Sequence, residues 1–153
     1  MKVTIISAER NSGKTTFAKN LISKNKNGFL GFLSYSSPSK DSFYLYDINN
    51  SNTIVLMSEK VNDNYERIGR FYIEPFAFDK AYDSLINQIG AFETKKCIVI
   101  DEVGQLELDG YGFDRLINRL IELDENLLLC IRKCFVESVV FKYGFVDYTL
   151  IDV

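Results

Sequence analysis

The residues from Ala8 to Thr16, AERNSGKTT, have types and spacing suited to holding a phosphorylated ligand. The chemistry needs a loop whose backbone N–H groups curl round phosphate oxygens, then a cation, then a hydroxyl for a metal. Gly13 permits close backbone approach, Lys14 reaches the β and γ phosphates, and Thr15 offers its oxygen to Mg²⁺. Arg10, Asn11, Ser12 and Thr16 complete the expected loop lining, with Arg10 as a second cation. Ala8 stands where such loops usually open on glycine, so its backbone must accept a Cβ and keep φ negative.

A second set lies in the run Ile98–Glu102, IVIDE, an apolar strand pattern ending in two acids. Coupled to a phosphate loop upstream, Asp101 is expected to hold the Mg²⁺ shell through water. Glu102 is then expected to orient and deprotonate the water that attacks a γ-phosphate. Charge developing on that phosphate calls for another cation. Arg132, just past an apolar run, joins Lys14 and Glu102 in the expected catalytic set, although nothing in the sequence ranks it decisively above Arg67 or Arg70. Histidine is absent from the chain. That excludes a Ser-His-Asp triad and two-histidine zinc motifs, and leaves proton transfer to carboxylate, lysine, tyrosine or water.

Strands and helices must position these groups. Lys2–Ser7 reads as a buried strand, and Phe17, Ala18, Leu21 and Ile22 share one face of a helix over Thr15–Lys24 that Asn25–Gly28 closes. That helix directs its unpaired N–H groups and positive dipole end at the anion. Phe29–Tyr35 reads as a strand and Ser36–Ser42 as a loop. Phe43–Ile48 and Thr53–Ser58, split by Asn49–Asn52, read as a hairpin that flaps over one edge of a sheet. Glu59–Arg70 is polar and expected to be the most mobile segment, ahead of a short strand at Phe71–Glu74. The pattern then predicts a helix over Asp79–Gly90, a strand over Cys97–Ile100 and a helix through Phe113, Leu116, Ile117, Leu120 and Ile121. After these come a strand over Leu127–Ile131, a helix from Val136 to Tyr143 stopped by Gly144, and a last strand near Tyr148–Asp152.

Strands alternating with helices predict an α/β fold: a mostly parallel sheet with helices on both faces and an antiparallel hairpin insertion. Ligands of such sheets bind at the carboxyl ends of the strands, where both motifs fall. The 153 residues, 46% apolar and 25% charged, suit one globular domain over 1–153. A net charge of −3 without a basic stripe argues against nucleic acid. Apolar runs of about four residues are too short for a membrane span or a secretory signal, so a cytoplasmic location is expected. Cys97, Cys130 and Cys134 lie in or beside apolar segments and read as reduced core thiols.

The run Cys97–Phe113, CIVIDEVGQLELDGYGF, resembles the Walker B segment of the small P-loop nucleoside-triphosphatases that include the cancer-related and thermophile enzymes. Asp101, Glu102, Gly104, Glu107, Leu108 and Phe113 match its pattern position by position. Gly28–Tyr35 is similar to that family's Gly-Phe strand, and Arg67–Tyr72 to its Gly-Arg-Tyr segment. The chain departs from it at Ala8-Glu9-Arg10, where Gly-x-Pro is usual, and at Leu106, where Met is common. The resemblance implies a single P-loop domain of the additional-strand type with Mg²⁺-dependent hydrolysis of several nucleoside triphosphates. Base preference and any protein partner stay open, and two other readings stand beside hydrolysis. One is a nucleotide-operated adaptor with slow turnover; the other is a small-molecule kinase whose acceptor enters under the hairpin.

Overall fold

The computed structural model of the chain describes residues 1–9 and 12–153. Its elements run β1 (Val3–Ala8), α1 (Lys14–Ser23), β2 (Phe29–Ser36), β3 (Ser42–Asp47), β4 (Thr53–Ser58), β5 (Glu66–Ile68), β6 (Phe71–Ile73) and α2 (Ala77–Gln88). They continue with β7 (Cys97–Val103), α3 (Gln105–Leu108), α4 (Asp114–Glu122), β8 (Asn126–Arg132), α5 (Val136–Tyr143) and β9 (Tyr148–Asp152). All nine strands share one sheet in the order β5-β6-β4-β3-β2-β7-β8-β1-β9.

From β2 to β9 the pairing is parallel. Parallel strands covered on both faces must be apolar in nearly every position, and β8, with Leu127–Ile131 all buried, meets that demand at the centre. Ala18 and Ile22 of α1 pack on one face against Ile6, Leu33, Val99, Leu128 and Cys130. The other face carries α2, α4 and α5, whose Ala81, Leu85, Leu116, Ile117, Leu120 and Val139 bury against Ile5, Phe32, Ile98, Ile100, Leu127 and Leu129. Helices therefore lie on both faces, as the periodicity predicts.

The hairpin departs from its expected role. Instead of folding over an edge, β3 pairs in plane with β2, Leu33 opposite Tyr46 and Tyr35 opposite Tyr44, and β4, β6 and β5 extend the sheet antiparallel beyond it. The polar segment Glu59–Arg70 supplies β5 to that extension. β2 is thus a seam, parallel to one neighbour and antiparallel to the other. At the seam only glycine fits position 31: its φ is +106°, and a Cβ there would lie 2.1 Å from the Val99 carbonyl oxygen of β7. The expected grouping of the cysteines also changes. Cys130 is buried and Cys97 half-buried, but Cys134, in the turn after β8, is exposed and no core thiol.

Candidate active site

The phosphate loop leaves β1 at Ala8, which is buried and has a negative φ, as a Cβ at that position requires. Gly13 caps α1 in the left-handed region, φ 91° and ψ 15°, which a side chain would strain. The turn brings the Ser12 N–H to the Glu9 carbonyl at 3.3 Å, and the Phe17 N–H starts the helix by donating to Gly13. Lys14 is only 4% exposed, so its stem is fixed inside the loop, whereas Ser12 and Thr16 are open to solvent. The expected contributions of Arg10 and Asn11 lie outside the described residues.

The two motifs meet at Asp101. Thr15 Oγ1 donates to Asp101 Oδ2 at 2.7 Å, and the Ser34 N–H of β2 donates to the same oxygen at 3.0 Å. The Ser34 hydroxyl reaches the Asp101 carbonyl at 3.4 Å, and the Cys130 thiol lies against the carboxylate. Burial pushes the Asp101 carboxyl above its ordinary range, and the bonds from Thr15 and Ser34 work the other way. Its second oxygen, Oδ1, is buried and accepts no hydrogen bond from the described residues. A buried carboxylate with one oxygen unanswered fits a cation's hydration shell. Sequence reasoning missed Ser34. Its one signal was a hydroxyl residue inside the apolar strand FLGFLSY.

Glu102 is positioned by a bulge that the sequence pattern does not announce. β7 continues past the expected end at Ile100 to Val103, and between those two residues Asp101 and Glu102 both stand opposite the single residue Cys130. The extra residue takes φ +65°, rare for glutamate, and shifts the alternation by one place. By strict alternation Glu102 would enter the α2, α4 and α5 core beside Ile98 and Ile100. With the bulge Val103 is buried there instead and Glu102 is exposed.

The three candidate arginines separate clearly. Arg132 ends β8, the strand between β1 and β7, level with Ala8, and its Nε lies 3.9 Å from Glu102 Oε2. Arg70 pairs with Glu59 at 2.9 Å and lies over Phe71, while Arg67 donates to the Gly69 carbonyl. Both belong to the β5–β6 hairpin, four to five strand spacings and roughly 19–24 Å from β7 at ordinary strand spacing. The structure brings Lys14, Thr15, Asp101, Glu102 and Arg132 to one end of neighbouring strands and leaves Arg67 and Arg70 apart.

Glu107 holds the chain that follows the acids. Its Oε2 accepts from the Gly104 N–H at 2.8 Å and its Oε1 from the Phe113 N–H at 3.0 Å, closing the α3 turn against α4. Burial raises its carboxyl, opposed by those two bonds. Gly112, at φ +61°, leaves room for it, since a Cβ there would come within 2.3 Å of Oε1. Phe113 is thereby set between Phe32 and Phe78, with ring centroids at 6.3 and 5.0 Å.

Residues 3–147 match the protein family described as NTPase. The chain belongs to that family. It is a nucleoside-triphosphatase with a P-loop α/β fold, and solved structures share that fold. THEP1 from the hyperthermophile Aquifex aeolicus aligns over 98% of this chain and 88% of its own, with TM-score 0.74 and 19% identity. The human cancer-related nucleoside triphosphatase aligns over 100% and 89%, with TM-score 0.77 and 16% identity. No curated protein matches the sequence. No helix among the described residues of this NTPase is long and apolar enough to cross a membrane.

Proposed function

We propose that residues 1–153 act as one domain that hydrolyses the terminal phosphoanhydride of nucleoside triphosphates with Mg²⁺, using Glu102 as the base. The Thr15–Asp101 hydrogen bond carries this reading, because it joins the hydroxyl of the phosphate loop to the buried acid of the second motif. Thr15 Oγ1, and Asp101 through water, are the hard oxygen donors that would hold the ion. Bound there, Mg²⁺ would neutralise charge on the β and γ phosphate oxygens. The loop from Ala8 to Thr16 holds the phosphates, and Lys14 adds a fixed positive charge. Glu102 takes a proton from water as the water oxygen bonds to the γ phosphorus. The bond from that phosphorus to the bridging oxygen breaks, and its electron pair leaves with the nucleoside diphosphate. Glu102 then returns the proton to solvent. Arg132 faces the γ oxygens and balances their charge in the transition state. Unpaired cysteines are at home in the reducing cytoplasm, where we place the reaction.

The test is phosphate release from ATP, GTP, CTP and UTP, with and without Mg²⁺, for the parent, Lys14→Ala and Glu102→Gln. Release should need the metal and fall by at least ~10²-fold in either variant, while Glu102→Gln still binds nucleotide. Hydrolysis by Glu102→Gln at the parent rate would refute the base assignment. Tight binding without release would point to the adaptor or the kinase.

A further inference from the structure

We infer that Arg132 works in two positions in turn, holding Glu102 in the resting protein and passing to the γ-phosphate when a nucleoside triphosphate binds. The substrate would then release the base that attacks it. This rests on the hydrolytic reading above and adds a control to the same site.

Two observations combine with one chemical argument. Arg132 Nε and Glu102 Oε2 are 3.9 Å apart, close enough for charge attraction but beyond hydrogen-bond distance. Both side chains are more than two-fifths exposed, at 42% and 44%, so the contact is screened and easily exchanged. A γ-phosphate offers the guanidinium more charge and paired acceptor oxygens, which favours the exchange.

The topology supplies the second position. β8 lies between the strand that carries the phosphate loop and the strand that carries the acids, and Arg132 stands level with Ala8 on one side and just above Val103–Ile131 on the other. One long side chain rooted there serves both neighbours.

The bulge settles which partner moves. Glu102 is anchored by an unusual backbone torsion between two buried neighbours, Asp101 and Val103. Arg132 ends its strand and carries the longer side chain, with more rotatable bonds. The cation is therefore the part that swings, and the carboxylate stays where the attacking water must be. A diphosphate, lacking the γ group, leaves the pair in place.

The experiment measures binding with Mg²⁺ of a β,γ-imido nucleoside triphosphate and of the matching diphosphate to the full chain. The proteins are the parent, Glu102→Gln, Arg132→Ala, Arg132→Lys and the two double variants. Losing the carboxylate's hold should let Glu102→Gln bind the imido triphosphate about three- to fivefold tighter than the parent, the range an exposed ion pair supports, with diphosphate affinity unchanged. The gain should shrink to less than half in the Arg132→Ala background and be intermediate in Arg132→Lys. Equal gains in all three backgrounds would mean simple repulsion between Glu102 and phosphate and would overturn the exchange, as would no gain at all. Phosphate release from the natural triphosphate, measured on the parent in the same series, separates the two ideas. Its absence overturns hydrolysis, whereas release with equal gains overturns only the exchange.

Discussion

Gly31 and Gly90 share nearly the same backbone torsion, φ +106° and +109°, in different surroundings. A Cβ at Gly90 would meet nothing within 4 Å. One at Gly31 would meet the Val99 carbonyl oxygen at 2.1 Å, its nitrogen at 2.8 Å and its carbonyl carbon at 3.0 Å. Gly90→Ala therefore measures torsional strain alone, about 1–3 kcal/mol. Gly31→Ala carries the same strain plus an overlap with backbone that no rotamer change relieves. The seam strand must then withdraw from β7, adding about 1–3 kcal/mol of overpacking and about 1 kcal/mol for a weakened ladder bond. Gly31→Ala should thus be less stable than Gly90→Ala by about 2–4 kcal/mol in urea unfolding at 25 °C. In a chain of this length that is a gap of roughly 5–15 °C in Tm. The displacement should also reach the site, because Ser34, three residues along β2, donates to Asp101. Finding the two alanine variants within about 0.5 kcal/mol of each other would refute the reasoning, since the β2–β7 spacing would then tolerate a methyl group.

Two further outcomes follow from other residues. Replacing Glu102 by glycine relieves a left-handed torsion that costs about 1–2 kcal/mol and returns about half of that as chain entropy. Glu102→Gly should therefore be more stable than the parent by about 0.5–1 kcal/mol in urea while phosphate release falls at least ~10²-fold; a less stable variant would contradict the strain. At Asp114, burial works against ionisation, but the Lys142 ammonium and the Tyr143 hydroxyl, each 2.8 Å from Oδ1, outweigh it and hold the carboxyl below its usual range. A carboxylate lowered on folding stabilises the protein above its unfolded pKa, and that contribution disappears as pH falls through the lowered value. Asp114→Asn should cost about 1–2 kcal/mol at pH 7 and progressively less as pH falls below the ordinary carboxylate range, read from urea midpoints across that range.

The parts of this site that were legible in the sequence are those written locally. Gly13, Lys14 and Thr15 are consecutive, and Asp101 and Glu102 end an apolar run, so spacing alone identified both motifs. Gly144, in the left-handed region at the end of α5, stopped the helix where its type predicts. What escaped was set by distant partners. Arg132, Arg67 and Arg70 look alike in sequence, and only strand order puts the first beside Glu102 and the others on the far extension. Ser34 gains its role from β2 lying beside β7. The bulge was hidden because Cys97–Ile100 already reads as a complete strand, and Val103 shows its value only as a buried side chain out of phase with Ile98 and Ile100. Likewise Phe43–Ile48 and Thr53–Ser58 announce a hairpin, but no local pattern says whether it folds over a sheet or lengthens it.

The bulge has a genetic consequence. Removing the Glu102 codon would leave Asp101 opposite Cys130 and Val103 opposite Ile131, a regular strand with every apolar side chain still on its present face. Losing Ile98, Val99 or Ile100 would instead put a side chain on the wrong face of the sheet. The proposed base is thus one of the two bulge positions, with Asp101, whose deletion the core does not register. A single small lesion there would convert the enzyme into a protein that keeps its phosphate loop and Asp101 but has lost the group assigned to activate water.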